Sequence, residues 1–275
     1  MTEQLLHAEL PEQAQLLELR IAIEDTYATG MTSICNHGLD AAELAWMSRP
    51  EIGGKQAHTY GDSELDPILQ LVNLMRTKPV GPQDIFYDLG SGNGKLAMLV
   101  AAISNTALSV GVELSPTRHT QAIAAQEMML KRSRGDVSHQ LFVNRLKYFC
   151  SNILNHELAD ATLVYAFCLC LDDPFLRRLE ERLLEQLPAG AHVLLRGKPF
   201  PHHDASNPKA FNSNGKRLDL ILRQSMYFGY RVAEKGDEHG GRQCSNAAVL
   251  RPGLKQIWER LGNSPFHRAI LASEK

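Results

Sequence analysis

The chain has 275 residues, 44% hydrophobic and 22% charged, with a formal net charge of −2. That balance describes an ordinary globular protein with room for one large domain with additions, or two small ones, and it argues against a strong nonspecific grip on nucleic acid. No run of about 18 or more apolar residues predicts a membrane span, residues 1–10 with Glu3, His7 and Glu9 do not read as a signal peptide, and five cysteines, an odd number, fit a reducing compartment: the cytosol, or the nucleus if the source is eukaryotic.

In chain order, residues 11–27 carry a helical stripe through Ala14, Leu17, Ile21 and Glu24-Asp25. Gly38, Pro50, Gly53 and Gly54 then divide residues 30–60 into short pieces. Residues 1–58 are expected to form an N-terminal helical cap on a domain running over 59–250, with a helical tail over 251–275. A helix from Leu65 to about Lys78 stops at Pro79 to Pro82. From Ile85 the pattern alternates. Strand 85–89 leads to helix 95–104, and strand 108–113 leads to a helix capped by Ser115, with Pro116 in its first position, running to about Arg132. Further strands are expected over 141–149, 161–168 and 192–196, with a helix over about 174–187. Strands alternating with helices predict a parallel sheet covered on both faces. The runs 226–233 and 244–250, joined by a loop at 236–241, read as two further strands. Residues 202–217, rich in Asn, Ser, His and Lys, are long for a connection and are the candidate substrate lid.

Chemistry concentrates in Asp88-Leu89-Gly90-Ser91-Gly92-Asn93-Gly94. An apolar run ends in an acid, a glycine-rich turn follows, and a helix begins, so a ligand can approach backbone at a helix N-terminus. The next strand ends in Glu113, a carboxylate suited to ribose hydroxyls. A phosphate-binding loop would need Ser or Thr after Gly94-Lys95 and a glycine where Leu89 stands; a dinucleotide loop would need glycine where Lys95 stands. Asp88 suits a cationic group better than a pyrophosphate. The bland alternative is a tight turn that binds nothing.

This pairing resembles the nucleoside half-site of class I S-adenosylmethionine methyltransferases. Tyr60-Gly61-Asp62-Ser63, the Asp88–Gly94 loop, Gly111-Val112-Glu113 and Gly197-Lys198-Pro199-Phe200 are together similar to the disruptor-of-telomeric-silencing family of histone-lysine methyltransferases that lack a SET domain. The resemblance spans roughly residues 60–200. It implies an α/β fold: a doubly wound, mostly parallel seven-stranded, Rossmann-like sheet with an N-terminal helical cap, in which the runs 226–233 and 244–250 would form a terminal antiparallel hairpin. It implies S-adenosylmethionine as cofactor, with Tyr60, Asp62 and Ser63 at the methionine end. Asp88 and the backbone of Gly90, Ser91, Gly92 and Gly94 would hold the same end, and Glu113 the ribose. Asn152 and Ile153 stand where the family has an acid and an aromatic ring for adenine. Asp62 replaces a more usual glutamate.

One departure concerns the acceptor. The family carries Asn-Asn after the fourth strand, and this chain has Phe167-Cys168-Leu169-Cys170. Phe167 and Tyr165 are candidates for an acceptor channel that desolvates an ammonium, or equally core residues of a buried strand. No catalytic residue is assigned beyond these. Cys168 and Cys170 read as small buried residues rather than a metal site, and no metal is expected. His202-His203-Asp204 reads as a solvated loop. Arg177-Arg178 with Glu180-Glu181 reads as an exposed helix face. The reading is a methyltransferase acting on a protein lysine side chain. A small-molecule or RNA acceptor, or a noncatalytic cofactor-binding module, stands as the alternative. The partner implied is a methyl-acceptor substrate, a protein first, with no membrane and without the family's basic flanking arms.

Overall fold

Four short apolar runs make the centre of the sheet: β1 (Ile85–Leu89), β2 (Leu108–Glu113), β4 (Leu163–Phe167) and β5 (His192–Arg196). Each is buried on both faces over most of its length, which is why they read as continuous apolar segments rather than alternating ones. In the computed structural model, which describes residues 18–27, 39–49, 52, 65–104, 106–132, 144–201, 212–224 and 226–236, they join β3 (Leu146–Cys150), β6 (Lys216–Gln224) and β7 (Tyr227–Glu234). The result is one seven-stranded sheet of order β3-β2-β1-β4-β5-β7-β6. β7 alone runs opposite to the other six strands. Strand order reverses between β1 and β4, and a ligand crevice forms outside the carboxyl ends at such a switch point.

Two apolar layers sandwich the sheet. On one face lie α1 (residues 18–27), α3 (Leu65–Leu74), α4 (Lys95–Ile103) and α5 (Pro116–Arg132). On the other lies α6 (Asp173–Gln186), which buries Phe175, Leu176, Leu179 and Leu183. Ser115 caps α5 as expected, its Oγ accepting from the Arg118 amide at 3.1 Å. Opposite the carboxyl edge, Asp84 is almost fully buried and pairs in two-pronged fashion with Arg76 at 2.8 and 3.0 Å. It also accepts from the Gly81 amide and the Thr162 hydroxyl. Burial would raise the Asp84 pKa, but Arg76, Gly81 and Thr162 outweigh it and hold the carboxyl below its ordinary value.

The structure departs from the sequence reading in several elements. The predicted stripe on the first helix is turned: Ile21 is exposed, and Leu19, Ile23, Thr26 and Tyr27 form the buried face. The terminal hairpin uses β6 and β7, with Gln224 opposite Tyr227 at its closed end. Run 226–233 is therefore the returning strand rather than the outgoing one, and 244–250 lies outside the described residues. Part of the candidate lid is strand, since Lys216 and Arg217 open β6; residues 202–211, with His202, His203 and Asp204, lie outside the described residues. A bulge between Leu220 and Leu222 changes the face of β6, so Leu218 enters the layer under α6 and Leu222 the opposite one. Glu180 belongs to the buried face of α6, with 4% exposure, not to its solvated one. α3 ends at Leu74 and β3 starts at Leu146. The expected domain boundaries fall outside the described residues.

Candidate functional site

The glycine turn is shaped by what packs beneath it. Gly94 has φ +84°, and a Cβ there would lie 2.5 Å from the Tyr148 ring. At Gly111 a Cβ would lie 2.6 Å from the same ring. Tyr148, on β3, thus fills the space under the loop that the two glycines leave open, and its hydroxyl donates to the Gly94 carbonyl at 2.7 Å. From the cap, the Tyr27 hydroxyl donates to the Asn93 carbonyl at 3.1 Å. Two tyrosines remote in sequence therefore hold the loop from below and from the side.

Backbone amides of the loop are already engaged. Those of Gly90 and Ser91 both donate to the Val112 carbonyl, that of Gly92 to Glu113, and that of Gly94 to the Ser91 carbonyl. A phosphate cradle needs such amides pointing at the ligand. Here, among the described residues, a Cβ at Gly90 would meet nothing within 4 Å, and the buried Ser91 hydroxyl has no hydrogen-bond partner. These features fit a nucleoside without phosphate.

Two carboxylates converge at the carboxyl ends of β1 and β2. Glu113 is buried; its Oε2 accepts from the Gly92 amide at 2.7 Å and its Oε1 from the Ser115 amide at 2.8 Å. Each oxygen keeps a further lone pair. Asp88 is 4% exposed, and burial first, then the charge of Glu113, pushes its pKa up to about 8. Near neutral pH it holds a proton that an approaching cation would release.

The other expected site residues are placed as follows. Tyr60, Asp62 and Ser63 lie outside the described residues. Asn152 follows β3, but its amide is already in use: Oδ1 accepts from the Leu154 amide at 2.9 Å and Nδ2 donates to the Ile52 carbonyl at 3.1 Å. Ile153 is buried in the layer under α6. Tyr165 sits beside Asp88 in the sheet register and is 1% exposed within the core. Phe167, the last residue of β4, is half-buried, and Arg196 stacks over it at 5.1 Å and over Tyr227 at 5.7 Å. Leu169 and Met226 are exposed nearby on the linked turns. Burial pushes the Cys168 thiol up to about 12, so it is protonated and inert. Among the described residues no group of His, Cys, Asp and Glu could hold a metal ion.

Sequence reasoning missed Glu43, on α2 (Ala41–Met47). It accepts from the Ser115 hydroxyl, from the Thr117 hydroxyl at 2.6 Å and from the Thr117 amide at 3.3 Å, so it joins the cap to the start of α5. Its partners lie more than 70 positions away, and no local pattern signals them.

Residues 55–220 match the family described as DOT1, histone methylation protein DOT1. The chain belongs to this family. The DOT1 match spans the sheet from β1 to β5 and the start of β6. A relative from Caenorhabditis elegans, a histone-lysine N-methyltransferase specific for H3 lysine-79, is 29% identical over 145 residues. The alignment covers 50% of this chain and 14% of that protein, so the chain spans a small part of that relative's length. Among solved structures the chain is similar to an RNA methyltransferase from Salinibacter ruber in complex with S-adenosyl-L-homocysteine, with 18% identity and a TM-score of 0.39, covering 62% of this chain and 92% of that one. It is also similar to a ribosomal protein L11 methylase from Lactobacillus delbrueckii subsp. bulgaricus, with 17% identity and a TM-score of 0.40, covering 68% and 83%.

Proposed function

We propose that this DOT1-family chain is an S-adenosylmethionine-dependent methyltransferase whose acceptor is the side-chain amine of a protein lysine, a histone first. The observation that carries the donor half is the Asp88–Glu113 pair beside a turn whose amides are engaged within the protein. Such a site suits a cationic, phosphate-free nucleoside. Bound there, the cofactor supplies a methyl group already activated on a sulfonium. Asp88 would take the methionine ammonium, with Ser91 beside it. The remaining lone pairs of Glu113 would take the ribose hydroxyls, and Asn152 and Ile153 would border adenine. Tyr60, Asp62 and Ser63 are assigned to the methionine end on the family motif.

The residues that face the acceptor need mainly to align an amine and exclude water. Phe167, with Arg196 and Tyr227 aligned beside it across three strands, offers a largely apolar wall at the carboxyl edge. Tyr165, buried in the core, supports that wall from below. The similarity to a histone enzyme supports a nuclear location in a eukaryote over the cytosol, and residues 1–58 are assigned as the cap, 59–250 as the methyltransferase domain and 251–275 as a tail. No described helix is long and apolar enough to cross a membrane.

The test is transfer of labelled methyl from S-adenosylmethionine into a lysate separated into protein, RNA and small-molecule fractions, with Glu113→Ala as the blank. Label in a protein band that survives nuclease and base supports the lysine reading. Label only in RNA or small molecules discards it and keeps the donor half. The replacement of Asn-Asn by Phe167-Cys168 favours a second reading, a cofactor-binding module without turnover; binding with no transfer to any fraction supports that one.

A further inference from the structure

A segment of the cap is fastened across the two loops that carry the nucleoside contacts. At one end Glu43, on α2, accepts from Ser115 and Thr117, immediately after Glu113. At the other end the Ile52 carbonyl accepts from Asn152 Nδ2, immediately after β3. α2 is itself well held: Asp40 Oδ1 caps it at 2.7 Å from the Glu43 amide, and Met47 is 1% exposed. β2 and β3 are adjacent, and Glu113 pairs with Cys150 in the register. The Ile52 amide in turn donates to the Arg49 carbonyl at 3.0 Å, so α2 and Ile52 together flank the edge where ribose and adenine would lie.

This arrangement gives a reason for an amide at position 152. A carboxylate accepts only, whereas Asn both donates and accepts. Asn152 uses its NH2 group on Ile52 and one lone pair of Oδ1 on the Leu154 amide, leaving a second lone pair for an exocyclic amine. An Asp at this position would lose the donor and set a negative charge against the Ile52 carbonyl.

We propose that Glu43 and Asn152 are positioning residues that hold α2 and Ile52 as a strap over the adenosine half of the site, so that the strap governs how fast the cofactor leaves. This rests on the cofactor reading above. The strap and the adenine share one side chain, so each orders the other. Ile52 is tied to the residues that end α2 through its amide on the Arg49 carbonyl, so breaking either fastening loosens both.

The experiment is stopped-flow dissociation of S-adenosylmethionine and S-adenosylhomocysteine from the full chain and from Glu43→Ala, Asn152→Asp and the double variant. Amide hydrogen exchange over residues 40–52 is followed with and without cofactor. Each single variant should speed dissociation roughly tenfold, the scale of one ordinary hydrogen bond. The double variant should be no faster than the faster single, because the two changes release the same strap. Cofactor should slow exchange over 40–52 in the wild type and fail to do so in Asn152→Asp. Unchanged dissociation rates in both single variants, or effects that multiply in the double, overturn the strap. If the wild type itself binds no cofactor by calorimetry, the cofactor reading falls instead, a separate outcome.

Discussion

Asp88 is the residue whose chemistry the fold perturbs most usefully. Its carboxyl is 4% exposed beside Glu113, and its pKa is pushed up to about 8 by burial and by that neighbouring charge. In the unfolded chain it returns to about 3.9. Between these values the native state binds a proton that the unfolded state lacks, so stability falls as pH rises through the window. The slope is at most about 1.4 kcal/mol per pH unit, on the order of 4 kcal/mol between pH 4 and 7. Asp88→Asn removes the titration while keeping the shape. Its advantage over the wild type should therefore widen by roughly 1 kcal/mol per unit from pH 5 to 7 and level off above about pH 8. Urea denaturation at pH 5, 6, 7 and 8.5, without cofactor, reads this directly. Parallel stability curves for the two proteins would refute the reasoning. The same proton gives a second reading in binding. A cationic ligand at Asp88 draws its pKa down, so calorimetry at pH 7 in two buffers of different ionisation enthalpy should report close to one proton released, and none for Asp88→Asn.

Glu113→Ala should weaken S-adenosylmethionine by about 1.5–3 kcal/mol, the scale of hydrogen bonds to a charged group; unchanged affinity in a folded variant would remove the ribose assignment. Gly94→Ala, at a positive φ and against the Tyr148 ring, should lower stability by about 2 kcal/mol or more. Adding Tyr148→Ala should then make Gly94→Ala less damaging than it is alone, and equal damage in both backgrounds by urea denaturation would show that the ring is not the obstacle. Arg76→Ala strands the buried Asp84 and should cost about 3–5 kcal/mol at pH 7. Because the Asp84 pKa is lowered in the fold, its contribution is present above about pH 4 and disappears as pH falls through the native value, so the gap between wild type and Arg76→Ala should close in acid.

The sheet was legible because its strands are local signals. β1, β2 and β5 are short apolar runs bounded by an acid, a glycine or a proline, and their limits in the structure are those read from the pattern. β6 was missed although it holds the apolar run Leu220-Ile221-Leu222 with Leu218 just before it. The charged Lys216, Arg217 and Asp219, and the Asn- and Ser-rich stretch before them, read as loop. Its burial comes from a bulge and from pairing with β7, neither of which a local pattern contains. The first helix kept its period but not its phase: Ile21 looks like a core residue until Leu19, Ile23 and Tyr27 are seen against α4 and α5. The carboxylate pair of Asp88 and Glu113 was readable because Glu113 closes β2 and Asp88 stands one residue before the end of β1. Glu43, Tyr27 and Tyr148 were not, because each acts on a loop that only the folded chain brings near.

The engaged amides of the glycine turn bear on what the site selects. A turn that leaves its N–H groups free attracts anions, and one that satisfies them internally has only shape and nearby charge to offer. In this chain Glu113 takes the Gly92 amide, which both removes a phosphate donor from the turn and fixes the carboxylate. Discrimination then falls to charge. Ionising Asp88 adds a second carboxylate charge beside that of Glu113. A cationic ligand is favoured in either state and gains most in the ionised one. Affinity for a cationic nucleoside should therefore rise as pH increases towards about 8, whereas 5′-methylthioadenosine, which has the nucleoside but no ammonium, should show little of that rise. If both ligands gain equally with pH, the titrating group is acting through the fold rather than on the ligand, and Asp88 loses its assigned role.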